Sequence, residues 1–198
     1  GVTIYGGNYG GAIFTPRSVG PTFVQLAIDP PNAASANSVG LPLATNGVWT
    51  CPSRPGLPVY EAGVNHYNIG YQYFGGISSW QNPVYNGPSR SPVNLNTAQP
   101  HWALAADAVV KVNGAWGGND PSRPYVYANI PPHCAENSPV PQGGNQAFVD
   151  GSVRWIQAEK MYFLSSWDSS GRLCYWYQDT KDFPASLKTF LPALRFQP

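Results

Sequence analysis

Histidines and carboxylates are the residues on which acid–base or metal chemistry would have to rest, and both are few in this chain. His66, His101 and His133 each lie in or beside a predicted loop, and none belongs to a metal or triad motif. The sequence contains no GxSxG, HExxH, P-loop or GxGxxG pattern. The glycine-rich stretch at 6–11 precedes no predicted helix, which argues against a phosphate cradle. We therefore predict no catalytic residue, no cofactor and no enzymatic activity.

Among the carboxylates, Asp107 is the one whose position demands an explanation. It falls in the apolar run 102–112, which predicts a buried central strand, and a buried carboxylate without a partner is costly. Arg90, Lys111, a backbone turn or a cation are the alternatives for that partner. A structural Ca²⁺ held by Asp107 or Asp120 is the one metal site that we consider. No carboxylate pair is marked out for glycoside hydrolysis.

The three cysteines are Cys51, Cys134 and Cys174, and their odd number allows at most one intramolecular disulfide. The sequence does not indicate which pair would form it, and the spacing does not match a zinc site. No N-x-S/T sequon occurs, so N-glycosylation is not encoded. O-linked glycans on Ser, Thr or modified Pro of the loops stay open.

The composition indicates a loop-rich β protein with a nearly uncharged surface. Charged residues make up 11% of the 198 residues, aromatic residues make up 14%, and Gly and Pro number 21 each. The net charge is +1 and no basic cluster occurs, so we expect neither nucleic acid nor an anionic membrane as a partner. No apolar run reaches about 18 residues, so no membrane span is expected. Such a surface favours contacts with copies of the same chain, or glycans that are attached or bound.

The strongest local signal is Asp150-Gly151 between two alternating runs, which predicts a tight hairpin with strands at 144–149 and 152–157. We interpret Asp150 and Gly151 as turn formers in a type I′ turn rather than as catalysts. The predicted fold is β-rich, that is α+β with little helix. It consists of antiparallel sheets with long Pro- and Gly-rich loops and a short C-terminal helix.

Two long loops, at 78–100 and 131–144, are expected to form contacts or to carry glycans, because loops of this length are commonly functional. Phe148 and Trp155 of the hairpin are assigned to the core. The segment 159–167 is compatible with helix or strand. The other predicted elements are strands at 22–28, 68–74, 102–112, 125–129 and 172–178, a loop or a short helical turn at 33–39, and a helix at 182–191.

We divide the chain into a Gly-rich N-terminal segment at 1–20 and a single globular domain at 21–198. The segment either forms an edge strand of its own domain or is an arm that adds as a strand to a neighbouring subunit. The assembly contacts expected from it are Val2, Ile4, Tyr5, Tyr9, Ile13 and Phe14, together with Trp80 and Tyr85 of the 78–100 loop.

Three stretches occur in an order that resembles a bacterial family: TCPSRPG at 50–56, NIGYQYFGGI at 68–77 and HCAENSPVPQGGNQAFVDGSVRWI at 133–156. With Ala106-Asp107-Ala108 they resemble the pseudopilin-like, prepilin-type proteins with an H-x9-DG motif, which are labelled type II secretion system protein G-like. The resemblance covers about residues 48–157. It implies a secreted or cell-surface location and assembly, without an activity.

The chain departs from that family in two respects. Sixteen residues, rather than nine, separate His133 from Asp150. The hydrophobic N-terminal helix that forms the filament core in the family is absent from this chain. If this is the mature chain, the Gly-rich N-terminal segment is the expected substitute for that helix in assembly.

We therefore expect a secreted, non-enzymatic structural subunit that self-assembles into an extracellular filament or surface appendage. Its partners would be copies of itself, joined by N-terminal strand addition. The alternative is an extracellular carbohydrate-binding module in which exposed Trp80, Tyr85 and Trp116 serve as stacking platforms. An uncharacterised hydrolase is disfavoured because the catalytic set is missing.

Overall fold

Strands dominate the residues that the computed structural model describes, which are 10–17, 23–44, 47–118 and 120–198. Every pair of neighbouring strands is antiparallel, so the predicted β-rich class is confirmed. The strands are β1 (Gln25–Ile28), β2 (Val59–Glu61), β3 (His66–Tyr73), β4 (Ser79–Asn82), β5 (Tyr85–Pro88), β6 (Ala103–Asp107), β7 (Val110–Val112), β8 (Gly143–Phe148), β9 (Val153–Gln157), β10 (Tyr162–Phe163) and β11 (Arg172–Trp176).

Two sheets pack on each other and enclose the main core. The main sheet has the strand order β1-β3-β6-β8-β9, with β2 also paired to β3, and the second sheet has the order β10-β11-β7. Strands β4 and β5 form a separate hairpin beside them. Between the sheets the ring of Phe74 stacks on Trp176, with 4.7 Å between the ring centroids. Trp80 meets Trp176 edge-on at 6.1 Å, so aromatic rings fill the centre of the core.

Two glutamine side chains connect the sheets through hydrogen bonds. Gln72 Nε2 in β3 donates to the carbonyl oxygens of Asp107 at 2.8 Å and Tyr175 at 3.1 Å. Gln146 in β8 forms two bonds with Tyr177: its Nε2 donates to the carbonyl at 2.9 Å, and its Oε1 accepts from the N–H at 3.0 Å. Both glutamines are fully buried. Gln146 uses its donor and its acceptor, whereas Gln72 Oε1 has no hydrogen-bond partner among the described residues.

The hairpin predicted around Asp150-Gly151 is present as β8 and β9, but its turn is not of type I′. Only Gly151 of the two central residues has a positive φ, which is 82°. Gly151 N–H donates to the Phe148 carbonyl at 3.0 Å, and Phe148 N–H donates to the Ser152 carbonyl at 2.9 Å. This is a three-residue loop that ends in a left-handed glycine. Asp150 accepts a 2.9 Å bond from Ser152 N–H, which closes the turn.

The apolar run 102–112 is not one strand. β6 ends at Asp107 in the main sheet, and β7 begins at Val110 in the second sheet. Ala108 and Val109 cross between the sheets and are fully buried. An apolar run of this kind is compatible with one long buried strand or two short ones, because both bury every side chain.

Two further segments differ from the prediction. The 78–100 segment contains the β4–β5 hairpin, whose Trp80 is fully buried and whose Tyr85 is 9% exposed. The 125–129 segment forms turns rather than a strand. Tyr127 in those turns is buried beneath the guanidinium groups of Arg172 at 4.6 Å and Arg123 at 5.8 Å. Tertiary contacts determine the conformation and the burial of both segments, and local sequence patterns do not reveal such contacts.

The helices are short. α1 (Pro30–Ser38) starts with two prolines, which fit the first helical turn because its N–H groups have no helical partner. The predicted C-terminal helix is present as two single-turn helices, α2 (Ala185–Lys188) and α3 (Leu191–Leu194), and Pro192 lies in the first turn of α3. The ambiguous 159–167 segment contains β10, which follows a 3₁₀ turn at Ala158–Lys160. Across the described residues, no helix combines the length and the apolar character needed to cross a membrane.

Residues 10–17 pack on their own domain. Leu95 N–H donates to the Gly11 carbonyl at 2.7 Å, and Ile13 N–H donates to the Val93 carbonyl at 3.0 Å. Ile13 and Phe14, which we expected at an assembly contact, are 3% and 2% exposed and therefore belong to the core of this chain. The other expected contact residues of the arm, Val2, Ile4, Tyr5 and Tyr9, lie outside the described residues, so their role stays a prediction.

The loop at 49–51 packs closely on the main sheet at Gly70 in β3, and a substitution of this glycine tests that packing. A Cβ on Gly70 would lie 2.4 Å from the Cys51 backbone nitrogen and 2.9 Å from the Trp49 carbonyl oxygen. Backbone atoms cannot move aside easily, so we predict that Gly70→Ala lowers the free energy of unfolding by about 2–3 kcal/mol in urea denaturation. Gly63→Ala is the control, because its Cβ would meet nothing within 4 Å. Equal losses in the two variants would contradict this packing.

Candidate functional site

The outer face of the main sheet, which points away from the second sheet, is covered at one end and open at the other. A second apolar cluster that includes Phe14, Trp49 and Tyr73 covers the β1–β3 end. Towards β8 and β9 the face is open and carries a cavity of about 670 Å³, which we call the outer cavity. Residues around it include Val48, Cys51, Tyr71, Asp107, His133 and Asn145.

Asp107 lies at the centre of the outer cavity and accepts hydrogen bonds from three other residues. Its Oδ2 accepts from the Asn145 backbone N–H at 2.7 Å, from Asn145 Nδ2 at 3.1 Å and from His133 Nε2 at 2.9 Å. Its Oδ1 lies 3.7 Å from Cys51 Sγ, which donates a weak bond. The side chain of Asp107 is only 4% exposed, so these donors replace the water that a carboxylate otherwise binds.

The side-chain partners of Asp107 are therefore neither Arg90 nor Lys111, the two side chains that we considered from the sequence. Arg90 Nε donates to the Asp182 carbonyl at 2.7 Å, and Lys111 Nζ lies 3.4 Å from the Gln197 carbonyl. A backbone group does take part, but it comes from β8 rather than from a local turn. The prediction of Arg90 or Lys111 was wrong because both are occupied at the C-terminal part of the chain.

The loop that carries Cys51 is fixed by a buried arginine. Arg54 is 2% exposed, and its guanidinium donates to the carbonyls of Val126 at 2.6 Å and Gly70 at 3.2 Å. Burial lowers the pKa of Arg54 to about 10, and the nearby Cys51 and Asp107 oppose that shift. Arg54 thus remains a cation at neutral pH, and its charge is attracted to that of Asp107.

Two glycines allow Asn145 to approach Asp107, and one aromatic ring positions His133 beside it. Gly144 lies so close to Asp107 that a Cβ would approach the aspartate Cβ to 3.0 Å. A Cβ on Gly143 would lie 3.0 Å from the Trp155 ring. That ring meets the His133 imidazole edge-on at 5.2 Å, which fixes the plane in which His133 donates to Asp107. The GGN sequence of β8 is therefore a steric requirement of the site.

The order of contacts does not match a cysteine nucleophile with its base. In such a set the histidine lies between the nucleophile and the carboxylate, whereas here Asp107 lies between Cys51 and His133. Burial, together with the charge of Asp107, also raises the pKa of the Cys51 thiol. A raised pKa keeps the thiol protonated, and the protonated form is a poor nucleophile. The geometry supports binding and structural roles better than covalent catalysis.

Metal binding gains no support from the described residues, which contain no group of three or more His, Cys, Asp or Glu side chains arranged to hold an ion. The oxygens of Asp107 are used by donors from the chain. Asp120, the other residue considered for Ca²⁺, accepts from Ser122 N–H at 2.9 Å and pairs with Arg172. All three cysteines are free thiols.

The aromatic residues expected at exposed platforms are not exposed. Trp80, Tyr85 and Trp116 are at most 9% exposed, so the prediction that they form an open stacking surface is wrong. Large exposed rings are found instead at Trp155, which is 48% exposed, and at Tyr125, which is 64% exposed. Trp155 had been assigned to the core from its alternation in β9, but it lies on the open face.

Sequence reasoning identified Asp107 but not its partners. The segments that carried the family resemblance supply Cys51, Asp107, His133 and Asn145, and the fold brings them together around one cavity. The joint occurrence of these segments in the family resemblance was the one sequence feature that could have indicated the site, because no local spacing connects the four residues. A scan against protein-family models, a search of curated proteins and a search of solved structures each found no match. The resemblance to pseudopilin-like proteins therefore stays a prediction.

A second cavity of about 340 Å³ lies near β1 and β3 and is lined by Arg17, His66 and Arg123. Arg17 pairs with Asp29 at 2.9 Å, and Arg123 Nε donates to Glu61 at 2.8 Å. Each guanidinium thus has a carboxylate partner. Hydrogen bonds from Arg123 are the main cause that holds the pKa of Glu61 below its ordinary value.

The lowered pKa of Glu61 predicts a dependence of stability on pH. A carboxyl whose pKa is depressed on folding stabilises the fold above its unfolded pKa of about 4.3, and this contribution is lost as the pH falls through the folded value. We expect Glu61→Gln to lose about 1 kcal/mol at pH 7 and to lose less stability than the original chain between pH 5 and pH 3. Urea unfolding at pH 7, 5 and 3 measures both. Glu136→Gln, at an exposed site, is the control, and an identical pH profile for Glu61→Gln and the original chain would exclude the effect.

The three thiols should differ in reactivity. Cys51 and Cys174 are 1% and 0% exposed, Cys134 is partly exposed, and burial raises the pKa of Cys174 to about 12. We predict that iodoacetamide at pH 8 alkylates Cys134 at least about tenfold faster than the other two. Asp107→Asn should accelerate labelling of Cys51 by about threefold, because the charge of Asp107 contributes to its raised pKa. Peptide mass spectrometry follows each site, and Cys174 in the same sample is the internal reference; acceleration at both buried sites would indicate unfolding instead.

Proposed function

We propose that this protein is an exported, non-enzymatic structural subunit that self-assembles into an extracellular filament or surface appendage. The proposed contact is the addition of an extended segment of a neighbouring copy to the outer edge of β9. The observation that carries this proposal is the outer edge of β9, whose backbone has no partner among the described residues.

The register of the hairpin shows which backbone groups of β9 point outwards. Phe148 and Ser152 form a hydrogen-bonded pair, and Ala158 N–H donates to the Gln142 carbonyl at 3.0 Å. Hydrogen-bonded pairs alternate with non-bonded pairs in an antiparallel ladder. The residues between them in the non-bonded positions are Val153, Trp155 and Gln157, so their N–H and C=O groups point away from β8.

The side chains of β9 do not protect this edge. Val153 is 63% exposed and Trp155 is 48% exposed, whereas protected edges usually carry Lys, Pro or a bulge. The register of β8 and β9 has no bulge, and the guanidinium of Arg154 lies 5.2 Å from the Phe148 ring on the opposite face. The edge is regular, and two of its exposed side chains, Val153 and Trp155, are apolar, which favours the addition of another strand.

Other sheet edges are partly occupied by their own chain. β10 is bridged by the C-terminal segment, where Phe196 N–H donates to the Met161 carbonyl at 3.0 Å. β7 is bridged by the turn that follows it, between Val112 and Ala115. These bridges leave β9 as the longest regular edge open to a second chain in the described part of the molecule.

The proposed donor is residues 1–9 of a neighbouring copy. Their sequence alternates Val2 and Ile4 with Thr3 and Tyr5, which suits a strand that places every second side chain against a partner. The net charge of +1 adds little repulsion between copies. The raised thiol pKa of Cys51 supports the non-enzymatic part of the proposal. The secreted location rests on the family resemblance.

Gln157→Pro tests the edge with little effect on folding. Gln157 has φ of −66°, which proline adopts without strain, and its N–H points outwards and supports no bond to β8. Proline removes one donor from the docking edge, and one hydrogen bond is worth about 1 kcal/mol, so the critical concentration for assembly should rise at least about fivefold. Sedimentation velocity and electron microscopy of the intact chain measure assembly.

A charge on the edge and removal of the donor give independent tests. Val153→Lys should raise the critical concentration, whereas Tyr125→Lys, at an equally exposed site outside β9, should not. Deletion of residues 1–9 should abolish assembly with an unchanged thermal unfolding transition. The proposal fails if the intact chain stays monomeric at high concentration, or if Gln157→Pro and Val153→Lys assemble like the original chain.

A further inference from the structure

We infer that the outer cavity is a binding site for an uncharged saccharide residue, which is a function beyond the proposed assembly. The cavity of about 670 Å³ lies within the size range of small-molecule sites. It combines apolar walls with a few polar groups that converge from β6, β8 and two loops. Those polar groups differ in whether they are free to bind a ligand.

Asp107 holds the site together and is not itself a ligand-binding group. Its Oδ2 accepts two bonds from Asn145 and one from His133, its Oδ1 accepts a weak bond from Cys51, and the side chain is only 4% exposed. The buried guanidinium of Arg54 lies near Asp107 and donates to backbone carbonyls of the chain. The cavity therefore offers neither a free carboxylate to a cationic amine nor a free cation to an anion.

The bonds to Asp107 determine which atoms remain for a ligand. Asn145 uses its Nδ2 on Asp107, so its Oδ1 is left as an acceptor, and the residue is exposed. When the His133 imidazole is neutral, the bond to the carboxylate places its proton on Nε2, which leaves Nδ1 as a second acceptor. Neither atom has a partner among the described residues. The Ser53 hydroxyl, which also lines the cavity, can accept or donate.

Neutral acceptors beside apolar walls match the chemistry of a sugar ring. Sugar hydroxyls supply donors along the rim of the ring, and the C–H groups form apolar faces. The walls of the cavity include the ring of Tyr71 and the side chains of Ala147 and Val153. Trp155 is 48% exposed and contacts His133, which places an indole at the rim of the cavity. Aromatic and apolar walls with few oriented polar groups are typical of a small-molecule site.

This site differs from the aromatic platform expected from the sequence, and it is separable from the assembly edge. Trp80, Tyr85 and Trp116 take no part in it, because they are buried. Strand addition uses the outward backbone groups of β9, whereas the saccharide site uses side chains on the outer face of the main sheet and on two loops. Gln157→Pro should therefore weaken assembly without weakening saccharide binding.

Saturation-transfer difference NMR on the intact chain tests the inference. The probes are cellobiose, maltose, xylobiose and N,N′-diacetylchitobiose at millimolar concentration, with n-butylammonium chloride and sodium glucuronate as charged comparators. We expect at least one neutral disaccharide to receive saturation and to bind more tightly than either comparator. His133→Gln and Ser53→Ala should each weaken its binding by about fivefold or more, because each removes one hydrogen bond to the sugar.

His101→Gln is the matched control for His133→Gln. His101 Nε2 pairs with Asp182 at 2.8 Å, so it is also a histidine bonded to a carboxylate, but it does not line the outer cavity. The His101→Gln variant should bind the disaccharide as tightly as the original chain does. Near-ultraviolet circular dichroism should show that all variants are folded. Absence of binding by every neutral disaccharide would overturn the inference. Preferential binding of butylammonium, or equal weakening in His133→Gln and His101→Gln, would overturn it as well.

Discussion

A buried carboxylate requires hydrogen-bond donors, and the way in which Asp107 obtains them shapes one end of the molecule. Its donors come from residues 56, 26 and 38 positions away in the chain, namely Cys51, His133 and Asn145. Each contact therefore fixes a different segment against β6. Loss of any single donor would leave the carboxylate less well satisfied in a site that water barely reaches. One charged group thus determines the positions of three segments: the loop with Cys51, the loop with His133 and the start of β8.

The elements that the sequence predicted correctly are those that local chemistry decides. The Asp150-Gly151 hairpin, the β-rich class and the short C-terminal helices follow from turn residues, alternation and proline positions. The break between β6 and β7 could not be predicted, because a run of buried side chains does not reveal which sheet each residue joins. The burial of Trp80 also escaped prediction, because it depends on Trp176, which is distant in the sequence.

The candidate site was predictable only in part. An aspartate in an apolar run indicated that Asp107 needs a partner, which the structure bears out. The identity of the partners depends on how β6 and β8 pair, on how Arg54 holds the loop with Cys51, and on how Trp155 packs against His133. Strand alternation also assigned Trp155 to the core, although alternation gives two faces without telling which is covered. The saccharide inference and the assembly proposal both arise from this face being open.

The amides of Gln72 and Gln146 have a consequence for how the two sheets are aligned. Apolar side chains alone would pack acceptably at more than one offset between the sheets, because dispersion has little directionality. Gln146 instead meets the peptide of Tyr177 with one donor and one acceptor, as a neighbouring strand would. A displacement by a single residue would break the bonds that both buried amides make to the second sheet. The glutamines therefore select one alignment of the two sheets through directional hydrogen bonds. They contribute to the uniqueness of the fold rather than to the amount of buried apolar surface.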